Sequence, residues 1–275
     1  MRPALLPLPA FETALHTYEA GDPAGPLVVF VPGNSMGADL FQGQLQAPEL
    51  QAFRLVALDL PGLGLSPRVA ALYAPDRLGA ALVAAVETLA EGRPALVVGH
   101  SYGGNLLLEE LPRLSWLRGL LLLGAPPVGT ADLAAAFRFD ATGQLLYAPE
   151  LSAAQAEALA AWCLRADAPA AEQALVAADV LRADGRVRTE LAAYIGNGLL
   201  RDERAHVAAT SVPLAFATGE QERALDFAYF DTLAAPTRWG QSLHLLPGAA
   251  HLPFLENPVA FNRLLLAFAA ATALP

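Results

Sequence analysis

The chain has 275 residues, 55% apolar and 16% charged, enough to bury the core of one sizeable α/β domain. A net charge of −10 excludes the basic footprint that a phosphate backbone requires, so nucleic acid is not an expected partner. All 17 basic residues are arginine, which excludes a Schiff-base lysine, a lysine general base and the lysine of a phosphate-binding loop. In chain order, Thr13–Glu19 alternates in hydropathy and reads as an antiparallel edge strand. The runs Pro26–Val31, Phe53–Leu58, Ala95–Gly99, Gly119–Leu123, Pro213–Thr218 and Ser242–Leu246 are short and almost continuously apolar, as parallel strands buried on both faces are. Helical patterns such as Pro75–Glu91 and Gly104–Leu111 lie between them, and strand–helix alternation predicts a mostly parallel sheet covered on both faces. From Pro127 to Thr210 no strand is evident. That Ala-rich helical stretch reads as a cap (residues 127–210) inserted into a catalytic domain formed by 1–126 and 211–275, over the strand ends where open α/β sheets bind ligands.

The N-terminal MRPALLPLPA holds no unbroken apolar run and no clear cleavage site. The apolar Leu264–Pro275 stretch is too short for a hydrocarbon core that needs about 20 residues, so it reads as a packed final helix. A cytoplasmic protein without a membrane partner is expected. Cys163 is the single cysteine, allows no intrachain disulfide, and reads as a structural residue of an Ala-rich helix.

Chemistry concentrates in Gly99-His100-Ser101-Tyr102-Gly103, a G-x-S-x-G directly after a buried strand and before a helix. Such a turn projects a strained serine from the sheet, and its glycines let strand and helix approach. Ser101 is therefore the expected nucleophile. A serine needs a base, and His251, in the loop after the last strand, is the histidine in the right chain order. The orienting acid belongs on the Thr218–Asp226 loop, where Glu222, Asp226 and Glu220 compete. Glu222, three residues past Gly219, has the expected spacing. Oxyanion donors are expected from the backbone N–H groups of Tyr102 and Asn34, with Gly33 letting the backbone approach the substrate. No histidine cluster suggests a metal, and no cofactor is expected.

Together, VPGNS, LDLPGLGLS (Leu58–Ser66), GHSYGG and PGAAHLPFLENP (Pro247–Pro258) resemble the successive signatures of the α/β-hydrolase superfamily, with Pro32 where many members carry histidine. The GNS turn, LLLGAPPVG (Leu121–Gly129), DGRVR (Asp184–Arg188) and the GEQE loop are similar to the metal-independent N-acyl-homoserine-lactone hydrolases within it. That resemblance implies an α/β-hydrolase fold and ester or lactone hydrolysis without a cofactor. It places the acid on Glu222 and the oxyanion asparagine on Asn34. It also implies aromatic cap residues around the substrate; the stretch from Leu151 to Cys163 supplies Trp162 and no tyrosine.

Overall fold

The computed structural model describes residues 1–272, so the last three residues of the Leu264–Pro275 stretch lie outside it. Eight strands form one sheet: β1 (Arg2–Leu8), β2 (Thr13–Gly21), β3 (Leu27–Val31), β4 (Arg54–Leu58), β5 (Ala95–His100), β6 (Gly119–Leu123), β7 (Leu214–Gly219) and β8 (His244–Leu246). Their spatial order is β1-β2-β4-β3-β5-β6-β7-β8. β1 pairs antiparallel with β2 and β2 antiparallel with β4; every later pairing is parallel. β3, β5 and β6 are buried along their whole length, which explains their unbroken Val/Leu composition: each side chain meets a covered face.

The six parallel strands stand where the apolar runs predict them. β2 is antiparallel as expected, but it is not the edge. β1 covers it along a seven-residue register from Arg2↔Glu19 to Leu8↔Thr13. Pro3 and Pro7 hide this strand from a propensity reading, yet proline is tolerated at a sheet edge, where half of the N–H groups need no strand partner.

The helices are α1 (Gln42–Leu45), α2 (Pro75–Ala90), α3 (Ser101–Glu109), α4 (Leu133–Ala136), α5 (Ala153–Cys163), α6 (Ala170–Arg182), α7 (Gly185–Gly196), α8 (Glu203–Ala209), α9 (Pro253–Glu256) and α10 (Pro258–Ala271). Five of them, α4 to α8, lie between β6 and β7. Three start at caps the sequence supplies: Ser152 with Gln155 forms a capping box on α5, and Asp184 and Asp202 accept N–H groups of α7 and α8. Among the described residues no helix is long and apolar enough to cross a membrane.

The loops at the carboxyl ends of the strands are gathered by one buried carboxylate. Asp59, just past β4, accepts the Ala38 N–H at 2.6 Å, the Leu65 N–H at 2.9 Å and the His16 Nδ1 at 2.8 Å. These bonds join the loop after β3, the loop after β4, and β2. Burial raises the Asp59 carboxyl above its ordinary pKa, although the donors around it oppose that shift. Asp59→Ala leaves these donors unpaired, at about 1–3 kcal/mol each before relaxation. Urea unfolding is expected to show a loss on the order of 3 kcal/mol or more, whereas a change under about 0.5 kcal/mol, the usual range for surface substitutions, would remove Asp59 as the organiser of these loops.

Candidate active site

β5 ends at His100 and α3 begins at Ser101 with no intervening loop. The reversal is tight enough to force Ser101 to φ +49°, a left-handed conformation that a side chain pays for and that persists only where its surroundings dictate it. Glycine makes the crossing possible: a Cβ on Gly104 would lie 2.5 Å from the Ala125 Cβ, and one on Gly99 would lie 2.7 Å from the Gly104 Cα. Gly33, on the facing loop, comes so near that an added Cβ would stand 2.9 Å from the Ser101 Cβ. Gly33 thus lets the loop close over the serine.

His251 and Glu222 are brought together. The His251 Nδ1 stands 2.5 Å from the Glu222 Oε2, and both residues are buried on their side chains. Glu222 is held in its own right: Oε2 accepts from the Thr218 hydroxyl at 3.0 Å, and Oε1 accepts the Arg223 and Ala224 N–H groups at 2.9 and 2.8 Å. The other two carboxylates of that loop are committed elsewhere. Asp226 pairs with Arg138 at 2.6 Å, and Glu220 accepts the Gly248 N–H at 3.0 Å. The His251 loop is clamped by Glu256, whose Oε2 accepts the N–H groups of Ala250 and Leu252 on either side, and the His251 N–H donates to the Cys163 carbonyl at 3.0 Å. His100 connects this loop to the turn: its Nε2 donates to the His251 carbonyl at 3.0 Å, and the two rings lie 4.8 Å apart. No hydrogen bond joins the Ser101 Oγ to the imidazole among the described residues. The structure brings base and acid into contact and sets the serine on the neighbouring turn.

The Tyr102 N–H belongs to the first turn of α3, where no carbonyl is available to it. The Asn34 N–H has no backbone acceptor among the described residues. The loop carrying Asn34 is fixed from the α4–α8 insertion. The Asn34 Nδ2 donates to the Leu146 carbonyl at 2.9 Å, Asp179 accepts the Gly37 N–H at 2.7 Å, and the buried Arg188 donates to the Ser35 Oγ at 3.0 Å. Ser35 itself is left-handed, at φ +61°.

Ser101 and Asn34 open onto a pocket walled largely by Leu106, Val128, Leu133, Phe137, Leu146 and Ile195. Tyr147, from the insertion, lines it too, with no hydrogen-bond partner for its hydroxyl, which burial pushes up to about 12. Trp162 does not line the cavity. It packs edge-on behind Phe139, with ring centroids 5.9 Å apart, and Phe139 forms the wall. A second cavity, of about 960 Å³, shares Phe137, Phe139, Tyr147 and Ile195 with the first and reaches the exposed Gln144 and Gly196. Among the described residues no group of three or more His, Cys, Asp or Glu side chains could hold a metal ion.

This strand–turn–helix with its flanking loops is accompanied by a sequence match: the model of the alpha/beta hydrolase family covers residues 28–264. The chain belongs to the alpha/beta hydrolase family. No curated protein matches the sequence. Among solved structures, this alpha/beta hydrolase resembles the N-acyl homoserine lactonase AidH. The AidH complex with N-butanoyl homoserine superposes at TM-score 0.88 with 25% identity, over 99% of this chain and 98% of AidH. An AidH mutant complexed with N-hexanoyl homoserine lactone gives TM-score 0.88 with 24% identity, over 99% of each chain. A thermophilic esterase from Thermogutta terrifontis shares the fold at TM-score 0.77 with 16% identity, over 99% of each chain.

In this alpha/beta hydrolase the acid and the imidazole shift one another. Burial pushes the Glu222 carboxyl up, but His251 and the surrounding donors outweigh it and hold the group below its ordinary range. Burial likewise disfavours the imidazolium, yet the Glu222 charge raises His251 above the ordinary imidazole value. His100, buried and next to His251, is held well below that value by desolvation and stays neutral. NMR titration of the His251 imidazole is expected to give a midpoint above 6.5, and Glu222→Gln is expected to lower it. An unchanged midpoint in Glu222→Gln would show that this carboxylate does not govern the imidazole.

Proposed function

We propose that this alpha/beta hydrolase is a serine hydrolase of carboxylic esters, lactones included, and that N-acyl-homoserine lactones are its best-fitting substrates. The observation that carries the reading is Ser101: a strained, left-handed serine at the mouth of a helix, opening onto a largely apolar pocket. The similarity to AidH supports the lactone, and AidH mutants crystallised with a serine or a glutamate replaced by glycine carry changes at the residue types that Ser101 and Glu222 contribute here.

In this reading the Ser101 Oγ attacks the ester carbonyl carbon and its proton passes to the His251 Nε2, the imidazole being oriented by Glu222. The carbonyl oxygen becomes an oxyanion and accepts from the Asn34 and Tyr102 N–H groups. Collapse re-forms the carbonyl, breaks the C–O bond to the leaving oxygen, and returns the proton from His251 to that oxygen. In a lactone the leaving hydroxyl stays tethered to the acyl group, so the acyl-enzyme is a ring-opened chain. Water then attacks the acyl carbon, with His251 taking its proton; collapse breaks the bond to the Ser101 Oγ, the proton returns from His251 to that oxygen, and the free acid leaves. The helical insertion, residues 127–210, acts as the cap that completes the cavity over the catalytic part formed by 1–126 and 211–275. A linear carboxylester fits the same steps.

The deciding measurement is mass-spectrometric turnover of acyl-homoserine lactones with chains of four to twelve carbons beside p-nitrophenyl esters of two to twelve carbons. Lactones turned over with kcat/KM well above the esters support the lactonase reading. Esters alone would make the protein a carboxylesterase, and fluorophosphonate labelling without turnover of either would make it a ligand sensor. Ser101→Ala is expected to lower kcat by at least about 10³-fold, and Glu222→Gln by less. Asp226→Asn is expected to leave the rate within about twofold, because breaking an exposed ion pair is worth little; a larger loss than for Glu222→Gln would reverse the acid assignment. A raised His251 stays protonated, and so inactive as a base, to higher pH. The acid limb of kcat/KM is therefore expected above 6.5 and is expected to move to lower pH in Glu222→Gln.

A further inference from the structure

The run Asp184-Gly185-Arg186-Val187-Arg188 caps α7 through Asp184, and its last residue reaches the site by another route. Arg188 is 2% exposed. Its guanidinium donates to the Ala148 carbonyl at 2.6 Å, to the Ser35 Oγ at 3.0 Å and, more loosely, to the Pro149 carbonyl at 3.4 Å. A Cβ on Gly185 would overlap the Pro149 carbonyl oxygen, so glycine there lets this segment pack onto the start of α7. A guanidinium stays charged when buried, and a buried charge is costly unless it is well bonded. Here its partners are two carbonyls and a hydroxyl, none of them a carboxylate. An apolar side chain would fill the same space without that cost, so the charge points to a task at one of these oxygens.

The hydroxyl among them belongs to a strained residue. The turn Gly33–Met36 is closed by the Met36 N–H donating to the Gly33 carbonyl at 3.3 Å, with Ser35 in its third place at φ +61°. A turn with positive φ there favours glycine, and a serine is strained in it. What serine adds is a wholly buried hydroxyl, which accepts from Arg188 and donates to the Asn34 Oδ1 at 3.1 Å. The Asn34 Nδ2 donates in turn to the Leu146 carbonyl, so both ends of this amide are held. The chain of bonds thus runs from the guanidinium through Ser35 to Asn34, which lines the Ser101 pocket and whose backbone N–H has no backbone acceptor among the described residues.

We propose that Arg188 is a positioning residue: through the Ser35 hydroxyl it holds the Asn34 N–H where the oxyanion of ester hydrolysis accepts. This rests on the reading of Asn34 as an oxyanion donor, so the test pairs turnover with a readout that needs none. With p-nitrophenyl butanoate, Ser35→Gly and Arg188→Met are each expected to lower kcat about 10- to 100-fold, because a donor displaced by about 1 Å forfeits most of its effect. KM is expected to stay within about threefold. The double variant is expected to lose about as much as the larger single loss, since both changes cut one chain. Glycine suits the turn, so Ser35→Gly keeps the test open should Arg188→Met fail to fold.

The second readout is the Asn34 backbone amide, observed by NMR after selective ¹⁵N-asparagine labelling. It is expected to be a single sharp resonance in the wild-type protein and to shift or broaden in both variants. A kcat within about twofold of wild type in folded Ser35→Gly, losses carried by KM alone, losses that multiply in the double variant, or an unmoved Asn34 amide would each overturn the proposal and leave Arg188 a packing residue. An Asn34 amide that responds in a protein whose wild type hydrolyses no ester would sustain the link from Arg188 to Asn34 and sink the hydrolase reading.

Discussion

At Ser101 the chain must reverse from a fully buried strand into a helix without a spacer, and it does so by holding a serine at φ +49°. That conformation is unfavourable for any residue with a side chain, so the neighbouring segments have to over-determine it. Gly99 and Gly104 let α3 lie against β5, and Gly33 brings the loop after β3 against the serine. The same geometry leaves the Tyr102 N–H free in the first turn of α3. Relaxing the turn would move the serine, the Tyr102 N–H and the helix wall of the cavity together.

The remaining parts are tied to this turn by buried polar groups. His100 joins it to the His251 loop, Glu256 grips that loop on both sides of His251, and Thr218 with two backbone donors fixes Glu222. Asp59 does the same for the loops after β3 and β4. Buried carboxylates recur in these roles because each can accept several N–H groups at once in loops that have no ladder to satisfy them.

The sequence made the six parallel strands legible because burial on both faces leaves an unbroken apolar run, and it made the turn at Ser101 legible because its flanking glycines follow from the close packing of strand and helix; Glu222, favoured by its spacing from Gly219, is the carboxylate that meets His251. β1 was not legible: RPALLPL is half-exposed and interrupted by prolines, and only its pairing with β2 makes it a strand. Trp162 illustrates a second limit, since an aromatic on a helix can as well back a wall as form it, and here Phe139 and Tyr147 stand in front. Nothing along the chain marks Glu203, Arg188 or Glu256 as buried. Their burial depends on which helix face meets the core, and α8 and α9, of seven and four residues, are too short to give a periodicity from which to read that.

The insertion between β6 and β7 shares more than a surface with the sheet. Leu146, Asp179 and Arg188 hold the Asn34 loop, and the Cys163 carbonyl holds the His251 backbone. Swinging these helices away as one body would strip the Asn34 loop and loosen the His251 backbone in the same motion. Phe137, Phe139, Tyr147 and Ile195 line both pockets, and none of their side chains takes part in those bonds. Were substrate to enter there, it would be sorted by girth, with the Asn34 and His251 loops held in place throughout.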